Sequence, residues 1–520
     1  MGMVAPQQRI ASAFFVIHGA YGEVSRYARQ RGVCRQWVYR EAAGLTKTLA
    51  AQDEELLALR AEVKQLRQSE AQWQERLARA VVIDEDKQAE VACVGQARGV
   101  TLRDCWALLD LLIPGQVLSV ATLGRRTQAA GKKARALLAV LDEAVQQQVG
   151  EVAADEIYVK EPVLMAVEPE SLCWLRGQLS DKVDGEAWEK QFARFPSLEQ
   201  VIRDGGKGLA RGVALVNEQR QQANLPPLVD QGDHFHALRE GGRGVGNAAR
   251  RTQHAMAEAA QADQQLARCE RHGTKQTGAA VRASGAWKKA EKAMDAWQRV
   301  ERIWRRTKEA MRLFTPTGEL NTRAQVEAVL AGTLPQLPDS DFAKVKRQLQ
   351  KPEMLNYLDR AHQKLNALAI PEEIKQAALR QEGLRRRPEA LKVDNYQAGV
   401  LRAILLMSAV VLSKADAVGT QAVAAVQDIC RRAYRASSLV ECINSVLRMH
   451  QAGHRQMTQG MLDLKRMYWN CHRFQSGRRR KTTPYERLGL LLPTGLRWWK
   501  LFKLTPEQLR DKLSTIKRVA

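Results

Sequence analysis

VGEVAADEIYVK (149–160), PVLMAVEPES (162–171) and LCWLRGQLS (172–180) are the runs on which the reading of the fold turns. They are rich in Val, Ile, Leu and aromatic residues. Pro162 and the Glu168-Pro169-Glu170-Ser171 turn split them, which predicts three short antiparallel strands in a meander. The pattern then alternates. A helix is expected over EAWEKQFARF (186–195), a strand over LEQVIRD (198–204), a helix over 207–222 and a strand within PPLVDQGD (226–233). The order is βββαβαβ, a mixed sheet with helices against it. Asp155 lies in the first strand, and Asp204 ends the fourth and is followed by Gly205-Gly206, where the backbone can turn sharply away and leave a carboxylate at the sheet edge. Glu156 and Glu168 are rivals for the first acid. Asp230, Asp233, His234 and His236 form a further polar cluster, read as supporting or structural, with the role of Asp233 and His236 left open.

A third acid comes much later. In YRASSLVECINSVLRMH (434–450), Leu439, Ile443 and Leu447 recur at steps of four, the stripe of a helix. Glu441, Asn444 and Arg448 share another face of it. Between Asp204 and Glu441 the β-pattern disappears. GGRGVGNAARR (241–251) reads as a flexible basic exit, followed by long helical segments in which Trp287, Trp297 and Trp304 sit among Lys and Arg. Packing between helices is the default reading of these tryptophans, and stacking on unpaired bases the alternative.

Ahead of the sheet, residues 9–44 read as three short helices. The last two, VSRYARQRG and CRQWVYREAAG, have helix-turn-helix grammar, and Arg35, Gln36, Tyr39 and Arg40 face outward on the second. Arg and Gln are the side chains able to make paired contacts with guanine and adenine edges. Leu49, Gln52, Leu56, Leu59, Val63, Leu66, Glu70, Trp73, Leu77 and Ala80 then alternate in steps of three and four, a heptad seam that predicts a coiled coil, most simply a homodimer. A second helix-turn-helix is expected over 101–146, with Ser119 as N-cap, a break at Gly131, and Lys132, Lys133 and Arg135 at the start of the last helix, facing phosphates.

The totals agree. Lys and Arg number 81 against 57 Asp and Glu, a net charge of +24, which favours a polyanionic partner such as nucleic acid. The eight cysteines are scattered with no CxxC pair, as in reduced thiols of a cytoplasm. The longest apolar run, AILLMSAVVL (403–412), is too short to span a bilayer. The N-terminus lacks the basic start and apolar core of a secretory signal.

Domain order and acids together resemble a DDE-type transposase of bacterial insertion sequences, with a ribonuclease H-like core. One branch of these enzymes carries a third-acid signature of Tyr, two residues, Arg, three residues, Glu, six residues, Lys. This chain has Tyr434, Ser437, Glu441 and Arg448 at those spacings, with Ser437 in the arginine's place and Arg448 in the lysine's. The resemblance implies that Asp155, Asp204 and Glu441 bind two Mg²⁺ (or Mn²⁺) ions. It also implies that Tyr434, Asn444 and Arg448 contact the DNA, and that the substrate is double-stranded DNA at transposon ends and targets. A dimer or higher oligomer, associated with the nucleoid, is expected. The domains would be 1–45 and 98–147 (helix-turn-helix), 46–84 (coiled coil), 148–240 and 401–475 (catalytic core), 241–400 (all-helical insertion) and 476–520 (basic tail). A nuclease or recombinase of the same fold, and a dimeric DNA-binding regulator, remain open alternatives.

Overall fold

The computed structural model describes residues 5–79, 81–392, 395–433, 438–453, 456–477, 479–492 and 498–519. The chain forms two compact units, Met1–Asp84 and Glu85–Ala520.

The first unit holds α1 (Pro6–His18), α2 (Glu23–Gln30) and α3 (Arg35–Arg79). Tyr27, Ala28 and Val38 form its small core, with Phe15 stacked on Tyr27 at 4.6 Å between ring centroids. Gly32 takes φ 65° at the turn between α2 and α3, a backbone state that suits glycine. The sequence pattern ends a helix near Gly44 and starts a rod after it, but α3 runs through without a break. A helical glycine costs only about 1 kcal/mol relative to alanine, and the Leu, Ala, Glu, Lys and Arg that follow easily offset it. The seam side chains stand open to solvent, from Leu56 at 45% exposed to Leu77 at 69%.

The second unit begins with α4 (Glu85–Arg98), α5 (Leu102–Leu112) and α6 (Val120–Val145). Ser119 caps α6 as its position predicts, its hydroxyl accepting from Thr122 N at 3.2 Å. Gly131, expected to break this helix, lies inside it. A Cβ there would stand 2.5 Å from the backbone oxygen of Gly460, so the glycine allows two helices to touch. Lys132, Lys133 and Arg135 are therefore mid-helix and lack the free N–H groups and positive dipole end expected for a helix start. The inner face of α6, with Leu137, Leu138, Leu141 and Val145, shares one core with Val152, Ala154, Leu164 and Ala166 of the sheet, so these helices are not a detached domain.

The sheet is β1 (Glu151–Val159), β2 (Glu161–Glu168), β3 (Cys173–Leu179), β4 (Gln200–Arg203) and β5 (Val229–Gly232), in the order β3-β2-β1-β4-β5. β1–β2 and β2–β3 are antiparallel; β1–β4 and β4–β5 are parallel. The expected meander and the two helix-linked strands are all present, with α7 (Gly185–Phe192) and α8 (Lys207–Gln222) between them. Both faces of the sheet are covered, which is why the strands read as continuous apolar runs.

Directly after β5 the chain enters α9 (His234–Arg271), which forms a hairpin with α10 (Thr277–Ala310). The supposed flexible exit is helix. Cβ atoms at Gly241 and Gly244 would lie 2.0 Å and 2.6 Å from ring atoms of Trp304 and Phe342, so these glycines seat aromatic side chains. Trp304 is core, and Trp287 donates to Asp263 Oδ2 at 2.7 Å. The insertion continues through α11 (Arg323–Thr333), α12 (Asp339–Leu349), α13 (Asn356–Asn366), α14 (Glu372–Arg386), α15 (Glu389–Lys392), α16 (Tyr396–Lys414) and α17 (Asp416–Arg431), around an apolar core of its own. Buried Arg360 ties it to the sheet, donating to Glu151 Oε1 at 2.8 Å and to Glu199 Oε2 at 2.9 Å. AILLMSAVVL belongs to α16, whose 19 residues make it the one helix, among the described residues, long and apolar enough by composition to cross a membrane. The ten-residue run alone is too short to span a bilayer, but the helix extends past it on both sides. α16 packs on α14 and α17. The core closes with α18 (Ser438–Gly453) and α19 (Gln459–Cys471).

Candidate active site

The register of the sheet aligns the acids. Ala153 of β1, Ile202 of β4 and Gln231 of β5 lie in one row across three parallel strands. Two residues further along each chain come Asp155, Asp204 and Asp233. Because side chains alternate, Asp155 shares a strand face with Ala153 and Ile157. That face packs against α18, where Val440, Ile443 and Leu447 are fully buried on Ala153, Ile157 and Ile202. The apolar stripe thus presses α18 onto the sheet, and the helix faces beside it bring Glu441, Asn444 and Arg448 to the ends of β1 and β4.

Asp155 is buried. Its Oδ1 accepts the Glu156 amide at 2.9 Å, and its Oδ2 accepts Nδ2 of Asn444 at 2.9 Å. Burial, then the charge of Asp204 and also that of Glu441, push its pKa up to about 7. Asp204 is half-buried, its Oδ1 accepting from Gly206 N at 2.8 Å. Neither Gly205 nor Gly206 adopts positive φ. A Cβ at Gly206 would lie 3.0 Å from Asp204 Oδ1, so the second glycine leaves room for the carboxylate to fold back on the amide.

Glu441 reaches the cluster from α18. Its Oε2 accepts from Arg448 Nη1 at 2.8 Å, and its Oε1 stands 4.0 Å from Nε2 of His236. His236 in turn donates from Nδ1 to Asp233 Oδ2 at 2.5 Å. That hydrogen bond, together with the charges of Asp233, Asp155 and Asp204, raises the histidine pKa. Asp233 also caps α9, accepting from Phe235 N at 2.7 Å. A buried aspartate thus orients a histidine that faces the third acid. Its sequence signal is DHFH directly after a strand, which gives the residues but not the direction of the ring.

The other acids have partners of their own, although Glu156 stays near enough to Asp204 for that charge, after burial, to help raise its pKa. Glu156 accepts from Trp188 Nε1 at 3.0 Å, Glu168 holds the β2–β3 turn through Ser171 N at 2.7 Å, and Asp230 pairs with Arg203 at 2.6 Å. Asn444 needs a correction. At 1% exposure it has no face to offer DNA, and its side chain orients Asp155. Arg448 is exposed enough to meet a strand. Arg35, Gln36, Tyr39 and Arg40 are exposed on the first turns of α3 in the other unit. Arg135, exposed on α6, lines a polar cavity of about 410 Å³ with Arg176, Arg466 and Asp463. Tyr434 and Ser437 lie outside the described residues.

The chemistry of the cluster is that of hard oxygen donors crowded by like charge, the condition a divalent cation relieves. Among the described residues no three such side chains stand close enough together to hold a metal ion as they are now turned. Glu441 is paired with Arg448. No known family model matches the chain, and no curated protein matches it either.

Proposed function

We propose that the chain is a DNA transposase with a ribonuclease H-like core and a DDE triad of Asp155, Asp204 and Glu441. The observation that carries this reading is the buried Asp155, its ionisation opposed by Asp204 and Glu441, on a β3-β2-β1-β4-β5 sheet whose third acid arrives only after a long helical insertion. Groups so far apart in sequence and so unfavourable together point to a shared ligand. The mixed five-stranded sheet and its βββαβαβ order support the ribonuclease H-like reading.

Asp155 and Asp204, with Glu441, are the residues that would hold two Mg²⁺ (or Mn²⁺) ions. When bound, such ions relieve charge on the attacking and leaving oxygens of an in-line displacement at phosphorus. The rest falls to the protein. Asn444 and the Glu156 amide fix Asp155, so its carboxylate needs no reordering when the substrate arrives. Arg448 steers a backbone phosphate beside Glu441. Water attacks phosphorus and the P–O3′ bond breaks, leaving a 3′-OH and a 5′-phosphate. The 3′-OH then attacks a phosphodiester of the target, whose own P–O3′ bond breaks. The outward row Arg35, Gln36, Tyr39 and Arg40 supplies duplex recognition, and the α3 seam supplies a second copy.

Asp155→Asn, Asp204→Asn and Glu441→Gln are each expected to lower Mg²⁺-dependent cleavage of a labelled DNA end by roughly 10²–10³-fold or more, with duplex binding kept. Full activity in any one of them removes that residue from the triad. Cleavage without joined product would make the chain a nuclease, and binding without cleavage a regulator.

A further inference from the structure

The insertion carries a feature that the strand-transfer reading does not use. Between the C-terminal part of α10, the Thr315–Pro316 turn and α11 lies a cavity of about 740 Å³. Arg302, Arg305 and Arg306 line it. They are spaced three and four apart, so they share one face of α10. All three are exposed, and among the described residues no acid pairs with any of them. Like charges at this spacing weaken a helix. Nothing in the fold of α10 calls for three on one face.

The opposite side of the cavity is different. Val326 is buried there, Val329 is half-buried and Pro316 is exposed, giving an apolar wall. At the floor Arg387 is 4% exposed and pairs with Glu309. Its Nε faces Glu389 Oε1 at 3.5 Å without a hydrogen bond, and its Nη1 finds no acceptor among the described residues. Gln325 lies at the rim, its Oε1 committed to the Thr322 cap at 2.9 Å, which leaves the amide NH₂ as a donor.

A cationic row faces an apolar wall across a space of the size ligand pockets usually have. We infer that this cavity is a binding site for a nucleoside phosphate, with its phosphate on Arg302, Arg305 and Arg306 and its base against Val329 and Pro316. Arginine suits both jobs, because its planar fork holds phosphate oxygens and its face stacks on a base. The nucleotide is either free or an unpaired residue of a DNA strand, since both present the same chemistry. The inference goes beyond the proposed catalytic function and is scored without any cleavage, so failure here and failure of the DDE triad are separable.

The test uses the full chain and three probes: dAMP, inorganic phosphate and a fluorescent single-stranded oligonucleotide, with and without an abasic residue. Binding is read by calorimetry and anisotropy, alongside the Arg302→Glu/Arg305→Glu/Arg306→Glu variant, whose exposed changes leave the core untouched and whose melting temperature confirms that it folds. One phosphate held by the three arginines, at about 0.7 per phosphate of a single strand, predicts that the variant's log–log salt slope falls by about 0.7. Affinity for dAMP or the intact strand should drop about tenfold or more, and the abasic strand should bind the wild type more weakly than the intact one. Tight dAMP binding assigns the site to free nucleotide, and binding of the strand alone assigns it to an unpaired residue. Inorganic phosphate binding as tightly as dAMP, an abasic strand binding as well as an intact one, or a variant with unchanged affinities would each overturn the inference.

Discussion

The sheet of the second unit and the long helix of the first depart from ordinary protein architecture in opposite directions. On the sheet, carboxylates occupy ground that should be apolar, and Asp155 is pushed up to about 7 by burial and by its acidic neighbours. On α3, leucines occupy ground that should be polar, and Leu59, Leu66 and Leu77 stand more than half exposed. Under the proposed function the two departures have one kind of cause: divalent cations would relieve the acids, and a second copy would cover the seam.

The largest effect should come from breaking the second half of this comparison. Leu59→Asp with Leu66→Asp places two charges in a seam where each buried leucine contributes about 1.5–3 kcal/mol. A dimer joined through α3, as proposed, should dissociate at micromolar concentration, as measured by light scattering after gel filtration. An unchanged solution mass would mean that α3 does not join two copies.

A smaller effect sharpens the first half. The raised pKa of Asp155 means that its neutral form is favoured in the folded chain. Its contribution to stability is therefore fully present below the ordinary aspartate value near 3.8, and is lost as pH rises through about 7. Asp155→Asn removes that loss and should stabilise the chain at pH 8 by up to roughly 4 kcal/mol, the equivalent of the whole shift. Much of this gain should vanish by pH 5. The Asn444 Oδ1, buried and without a partner among the described residues, can accept from the new amide once the Asn444 side chain flips. A melting difference independent of pH would show that Asp155 is not strained by its charge.

The smallest test contrasts two glycines. Gly44 has open space around it, so Gly44→Ala should stabilise α3 by about 0.5–1 kcal/mol. Gly131→Ala drives a methyl into the backbone of Gly460 and should destabilise the second unit by about 1–3 kcal/mol. Denaturant titration of the two variants reads both signs.

These glycines also mark where reading the sequence fails. The strands, α8, the Ser119 cap and the apolar stripe of α18 were legible because local spacing determines them. By spacing alone Gly44, Gly131, Gly241 and Gly244 look like breaks or flexible links. A glycine that ends a helix and one that admits a neighbouring ring look alike until the neighbour is known. Trp304 and Phe342, the neighbours that decide it, lie far along the chain. The same holds at the site. Asp155, Asp204 and Glu441 could be chosen from strand ends and helix faces. That Asn444 turns inward to Asp155, while Arg448 turns outward, depends on how deeply α18 sits on the sheet, which no spacing records. The Asp233–His236 pair was visible as residues and not as a direction.

The proposed phosphoryl transfer on DNA by the clustered acids is tested most directly by incubating the full chain, Mg²⁺, and a labelled duplex carrying the sequence that flanks its own gene with supercoiled plasmid. Wild type should covalently join the labelled 3′ end to the plasmid, and Glu441→Gln, bound to the duplex as tightly, should not. Joined product that persists in the variant, or that forms equally well with the divalent cations chelated, would contradict the account.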